Sequence, residues 1–341
     1  MSQGQEAAEL MRMNDSLSEL PDDILNKITC MMDIQDAVRT SILSKRWRYI
    51  CSKMFESLLS IKLQSIDISN LELTEVLEKC PLLEKLTLRS CSKLTSLRIG
   101  HSNNTHLKIL SLENCFNLRE IDVSANNLHT LELRGVSRWS KFDIKTPRLV
   151  NALCHDISMF ESLIFPSKLS AQNVDGAMPA LPIPRVSRFS SLRQFSTVRR
   201  LVLSVSPFSK NDRLLWVSYI FMAFPLLETL ELNLFCPKRQ PKEIWKDVLD
   251  KCPNRSITKL ELNGFAGNHH EVYLLRYLLE NLSGLRVLSI CPSEKVYNSC
   301  DGWVNGKESI LGKEWFENHS GWVRSIISPS VHLEFLYYHQ P

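Results

Sequence analysis

The chain has 341 residues, 44% hydrophobic and 23% charged, which suits a folded protein of two domains or one elongated one and excludes disorder throughout. Its 41 basic and 37 acidic residues leave a net charge of +4, too small to argue for a nucleic-acid partner. The ten cysteines show no CxxC pair and no Cys/His quartet of zinc spacing, so no metal or other cofactor is expected.

Residues 1–16 carry acids and no apolar run, which is unlike a secretory signal; they are expected to be disordered, with the thiols reduced in cytoplasm or nucleus. From residue 17 to 53 three short helices are expected. Leu20-Pro21-Asp22-Asp23-Ile24-Leu25 opens the first, since proline is tolerated in a first turn and acids favour the positive helix end. Ile24, Leu25 and Ile28 share its apolar stripe. Asp36 to Leu43 forms the second helix, and the third begins near Ser44 and holds Trp47 and Ile50. A module of roughly 40 residues has too little interior to stand alone, so a partner is implied.

Those residues, with Ala37-Val38-Arg39-Thr40-Ser41 and Leu43-Ser44-Lys45-Arg46-Trp47-Arg48, resemble the F-box in the version typical of plant F-box proteins. The resemblance implies docking on a Skp-type adaptor, which bridges to a cullin in an SCF ubiquitin ligase. The adaptor-binding residues it implies are Leu20, Pro21, Ile24, Leu25, Ile28, Leu43 and Trp47.

From residue 54 to 255 the spacing of leucines decides the architecture. Leu83-x-x-Leu86-x-Leu88-x-x-Cys91 returns as Leu107-x-x-Leu110-x-Leu112-x-x-Cys115 and as Leu128-x-x-Leu131-x-Leu133-x-x-Val136. The middle leucines lie 24 and 21 residues apart, within the leucine-rich-repeat range. Half-phrases at Leu94-x-x-Leu97-x-Ile99 and Leu118-x-x-Ile121-x-Val123 predict a second short strand per repeat. Looser copies follow at Val198, Leu227, Ile257 and Leu285. Only some 30 residues separate the F-box from the first clear phrase, so the early repeats look shortened. Cys91 and Cys115 are expected to be buried turn thiols without chemistry.

The prolines at 166, 179, 182 and 184 predict a loop or linker near 166–197. The uncharged run Leu214 to Leu227 is short of the ~18 residues of a membrane span and predicts a buried helix leading into a strand. Ile244, Trp245, Val248 and Leu249 predict a spacer helix ending at Pro253. Ser256 to Pro292 predicts strand, helix and parallel strand, with His269 and His270 in an exposed turn. This stretch is similar to the FBD region of many plant F-box/LRR proteins, so 256–341 is read as an FBD-like region continuing or capping the solenoid. No repeat phrasing is legible from Cys300 to Gly321.

The fold expected is therefore α/β: a three-helix F-box, then a leucine-rich-repeat solenoid with short parallel strands. No nucleophile with its base, phosphate loop or metal motif is present, and no catalysis is expected. The resemblance implies a substrate receptor that holds a target protein for ubiquitin transfer, without nucleic acid or membrane. A repeat scaffold outside any ligase, or a small-molecule receptor, are the alternatives. Leucines at i and i+2 point into the core, so Thr87, Arg89, Ser111, Glu113, Glu132 and Arg134 are expected to face outward as the target surface. Arg89, Glu113 and Arg134 should form a ladder of alternating charge.

Overall fold

A computed structural model describes residues 20–31, 49, 53, 55–100, 106–137, 140–155, 157–164, 192–205, 215–235, 251–298, 302–308 and 310–336. Every Leu-x-Leu phrase becomes a strand of one parallel sheet. The strands are β1 (Ser60–Gln64), β2 (Lys85–Arg89), β4 (Ile109–Glu113), β6 (Thr130–Arg134), β8 (Asn151–Cys154), β9 (Arg200–Val205), β10 (Thr229–Leu234), β11 (Lys259–Asn263), β12 (Val287–Cys291) and β15 (His332–Phe335). They lie side by side in that order as a ten-stranded sheet. Pairing is in phase, with Leu86 opposite Leu110, Leu110 opposite Leu131, and Leu230 opposite Leu201 and Leu260. These leucines are 0–1% exposed. Each contributes roughly 1.5–3 kcal/mol through burial that one repeat alone cannot provide.

The half-phrases form a second parallel sheet of three strands, β3 (Ser96–Ile99), β5 (Glu120–Val123) and β7 (Lys141–Ile144), behind the early repeats. Later repeats use helices at Ile157–Ile164, Leu215–Ala223, His269–Asn281 and Ile310–Ile326 instead. A helix takes more chain than a four-residue strand, so the spacing widens where one intervenes: Leu201 and Leu230 are 29 residues apart, and Leu260 and Leu288 are 28 apart. The predicted helix in the 214–227 run is present, and Phe224 just beyond it stacks on Phe160 at 6.0 Å and Phe195 at 5.4 Å.

Turns between the layers repeat as faithfully as the strands. Ser65, Ser90, Asn114 and Gly135 each follow a strand in the left-handed region, at φ 54°, 51°, 52° and 55°. The N–H groups of Ser65, Ser90 and Asn114 donate to the last carbonyl of the next strand at 2.7–2.8 Å. The Cys91 and Cys115 thiols then donate across to the carbonyls of Leu63 (3.8 Å) and Leu88 (3.5 Å) in the preceding repeat. They are buried turn thiols, as their position predicts. At Gly100, φ 90°, a side chain would place its Cβ 1.9 Å from the Ser124 carbonyl oxygen, so glycine is required there.

Several features depart from the sequence reading. Residues 55–83 hold a complete repeat, with β1 and the helix Asn70–Glu78, whose Ser69/Glu72 capping box fixes its start. β8 carries Ala152 and Cys154 where leucines were sought. The stretch without phrasing forms an antiparallel hairpin, β13 (Ser293–Asn298) with β14 (Gly302–Glu308), and then the helix Ile310–Ile326. That helix seats Trp315 against Phe265 at 5.0 Å and over Gly267, where a Cβ would meet the indole at 2.2 Å. His269 and His270 belong to the first helical turn, and His270 is buried at 5% exposure rather than in an exposed loop. The helices expected across 36–50 fall, Tyr49 apart, outside the described residues, as do the spacer helix at 244–249 and the loop from 166 to 191.

The helix His269–Asn281 begins with Asn268 and Glu271 in a capping box. The Glu271 carboxylate accepts the N–H groups of Ala266 (2.7 Å), Gly267 (2.8 Å) and Asn268 (3.4 Å). Burial outweighs these donors and pushes its carboxyl up from 4.5 to about 7. An acid raised on folding favours the folded state when protonated. Its contribution is full below pH 4.5 and is lost as pH rises through about 7. Glu271→Gln, which still accepts the N–H bonds, is expected to remove a fall of order 1–3 kcal/mol between about pH 5 and about pH 8. Urea midpoints at the two pH values measure it; an unchanged slope would show that Glu271 is ionised at no net cost.

Candidate functional site

Alternation along each strand divides the ten-stranded sheet into a leucine face and an outward face, and strand register turns the outward positions into rows. One row runs Lys62, Thr87, Ser111, Glu132; the next runs Gln64, Arg89, Glu113, Arg134. All six residues expected at the target surface therefore share one face. Their neighbours are as the phrase predicts, with Arg89 opposite Glu113 and Glu113 opposite Arg134. The Arg89 Nε to Glu113 Oε2 distance is 3.6 Å.

Exposure differs from the expectation. Thr87, Ser111 and Glu113 are 7%, 3% and 3% exposed, while Arg89, Glu132 and Arg134 are half-buried. The polar side chains bond to one another. Ser111 Oγ donates to Glu132 Oε2 at 3.1 Å and lies 3.3 Å from Glu113 Oε1. Glu132 Oε1 in turn lies 3.5 Å from Nε2 of His155. Burial would raise the Glu132 carboxyl, but the His155 hydrogen bond and charge, with Ser111 and Lys85, hold it below the ordinary glutamate value.

His155 was missed because Ala152 and Cys154 stand at the inward positions of the preceding strand, although it follows Cys154 as Arg134 follows Leu133. Its Nδ1 lies 3.4 Å from Ser204 Oγ, so Ser204, His155 and Glu132 make the side-chain set of a hydrolytic triad. Ser204 is only 5% exposed. A nucleophile needs access to its carbonyl. The trio is a buried polar brace. Among the described residues no group of His, Cys, Asp and Glu is arranged to hold a metal.

Further along the face Glu231, 2% exposed, receives Arg200 Nη2 at 2.8 Å, the Lys295 ammonium, and Asn263 Nδ2 at 3.3 Å. Burial opposes its ionisation, and Lys295 and then Arg200 outweigh that. A cleft of about 650 Å³ lies elsewhere, between the helix Asn70–Glu78 and the second sheet, lined by charges of both signs, including Arg98, Glu120, Asp122 and Lys141.

At the N-terminal end the helix Asp22–Met31 starts where Pro21 predicts, and the Pro21 carbonyl accepts N–H groups from Ile24 (3.0 Å) and Leu25 (3.1 Å). Pro21 is exposed, Ile24 is 37% exposed, and Leu20 and Ile28 are half-buried against the core. Leu25 is the correction: at 0% exposure it belongs with Phe55 to the continuous core and presents nothing to a partner. Leu43 and Trp47 lie outside the described residues.

Comparison with known proteins matches residues 17–56 to the F-box domain and residues 49–313 to the family described as At1g61320/AtMIF1, LRR domain. The chain belongs to the F-box/LRR family. Among its relatives in Arabidopsis thaliana, F-box/LRR-repeat protein At5g02910 is 35% identical over 250 residues, covering 73% of this chain and 43% of the relative. FBD-associated F-box protein At5g56370 is 34% identical over 90 residues, 25% of this chain and 21% of its own. The matched stretch thus spans less than half the length of either relative. An internalin from Listeria monocytogenes aligns at 13% identity over 70% of this chain and 77% of its own, with a TM-score of 0.21; the repeat architecture of this F-box/LRR protein rests on the strand register instead.

Proposed function

We propose that this F-box/LRR protein is the substrate receptor of an SCF-type ubiquitin ligase, its F-box held by a Skp-type adaptor and its repeats holding a target protein. The observation that carries the reading is the first helical turn of the F-box segment. There the chain leaves Pro21 and Ile24 exposed beside Leu20 while Leu25 anchors the helix to the repeat core. Apolar groups fixed on a rigid, anchored element are what a constitutive partner covers. The repeat sheet supplies the second surface, a polar face running from Lys62 to Glu132 and Arg134.

In this reading the chain performs no chemistry. Its contribution is positional: holding the target raises the effective concentration of target lysines near the conjugating enzyme carried by the other subunits. The FBD-like residues 256–341 would serve the same surface, since β11, β12 and β15 extend the sheet that β1 begins. In this reading the protein works in the cytoplasm or nucleus, where thiols stay reduced.

Affinity capture with mass spectrometry tests this. The intact chain is expected to bring down adaptor, cullin and target. A chain lacking 17–53 should lose adaptor and cullin and keep the target. Retention of the adaptor by the shortened chain would end the proposal.

A further inference from the structure

Where the chain enters the large sheet, the repeats build a rim distinct from the rows described above. From Glu84 to Arg286 the carbonyl of the residue before each strand accepts the N–H of its counterpart in the next repeat at 2.8–2.9 Å. The first residues of the same strands run beside it in register, from Lys85 through Arg200 to Lys259 and Val287. These two rows carry Lys85, Lys108, Arg199, Arg200, Lys259 and Arg286 against two acids, Glu84 and Glu228. At the far ends of the strands the turn residues Ser90, Asn114, Gly135 and Gly264 carry no charge.

Glu84 and Glu228 cancel only their own neighbours, Lys108 at 2.6 Å and Arg199 at 3.4 Å. The carboxylates that face the other cations stand behind them. The Arg200 side chain is 48% exposed and its partner Glu231 3%, and Lys259 is 42% exposed against 20% for Glu261. Lys85 and Arg286 are exposed as well. A partner therefore meets the cations first, two of them already oriented by recessed acids. Strands lie about 4.8 Å apart, so the seven steps from β2 to β12 span about 34 Å, the length of about ten residues of extended chain. Single-stranded nucleic acid is held by aromatic side chains set among cations. These rows contain no Phe, Tyr or Trp, and the apolar residues between their cations, Ile109, Val150 and Val287, are half-buried.

We propose that this rim binds an extended acidic polypeptide segment, its carboxylates or phosphates laid across the repeats from β2 to β12. That the segment belongs to a ubiquitination target rests on the receptor reading above. The binding of an acidic chain does not.

Fluorescence anisotropy on the isolated full chain tests the rim without adaptor or target. The probes are a labelled peptide of about ten residues alternating Glu and Ser, the same peptide with phosphoserine, and a single-stranded RNA of similar length. The peptides are expected to bind, more weakly as salt rises. Lys85→Glu with Arg286→Glu should weaken peptide binding about tenfold or more, and the neutral pair Lys85→Gln with Arg286→Gln should weaken it less. Lys93→Glu with Arg119→Glu, an equal change of net charge away from the rim, should leave binding unchanged. Tighter binding of the phosphoserine peptide would assign phosphate as the preferred anion, and equal binding would assign carboxylate; either supports the rim. The proposal is overturned if neither peptide binds, if the rim and control pairs lose binding equally, or if the RNA binds more tightly than both peptides.

Discussion

Changing Leu20 and Pro21 together to alanine is expected to abolish co-purification with a Skp-type adaptor and leave the repeat domain folded. Leu20 is half-buried at the rim of the core and Pro21 exposed at the mouth of the first helix, so together they offer an apolar edge outside the fully buried core. Truncating two interface anchors costs about 3–4 kcal/mol, or about two to three orders of magnitude in affinity. Leu25, untouched at 0% exposure, keeps the helix on the core, so the melting temperature should barely move. Adaptor capture at the wild-type level would show that the contact lies elsewhere. By contrast Leu25→Ala is a core substitution and would lose adaptor only by loosening the helix.

Reversing Glu113 to lysine is expected to destabilise the protein by about 3–5 kcal/mol, the cost of removing one partner of a buried pair and leaving its charge uncompensated. The Glu113 side chain is 4% exposed, with Arg89 at 3.6 Å and Arg134 opposite it on the next strand, so the variant stacks three cations on β2, β4 and β6 away from water. The loss should appear as a lower urea midpoint at constant slope. Glu113→Gln, still able to accept from Ser111 Oγ, should lose less. A Glu113→Lys protein of wild-type stability would mean the face opens to solvent at that row.

Alternation alone makes this position an exposed one, and the gap between the two readings marks what a strand pattern conveys. Period two says which face Glu113 occupies, and the spacing of the leucines says that Arg89 and Arg134 flank it; both hold. Neither says how far neighbouring side chains fold over it. Ser111 reaching both Glu113 and Glu132 depends on rotamers of residues 21 apart in the chain. His155 was hidden for a different reason: Ala152 and Cys154 fill the leucine sites of β8, since the stacked repeats on either side supply enough packing for smaller side chains. The repeat at 55–83 escaped because its phrase, Leu58-x-x-Ile61-x-Leu63-x-x-Ile66, has isoleucine at the middle leucine site and at the closing site, and a helix follows it instead of a half-phrase. At the F-box the sequence located the helix start, and the resemblance implied an adaptor contact for Leu25; helical periodicity defines a stripe without saying which edge of it touches the core, so nothing in the pattern marked Leu25 as the buried edge.

The unbroken order of the large sheet also bears on how the chain is made. From β1 to β12 each strand of that sheet pairs with the strand of the same sheet synthesised just before it, and β15 returns to β12. No strand awaits a partner still unmade. With Leu86 and Leu110 separated by 24 residues, and translation adding about 5–20 residues per second, a new strand emerges roughly every 1–5 s onto an edge already formed. The exposed sheet edge on the nascent chain is thus one strand wide at any moment. It moves along with the ribosome, and a stall between two repeats leaves a shorter sheet rather than an unpaired strand.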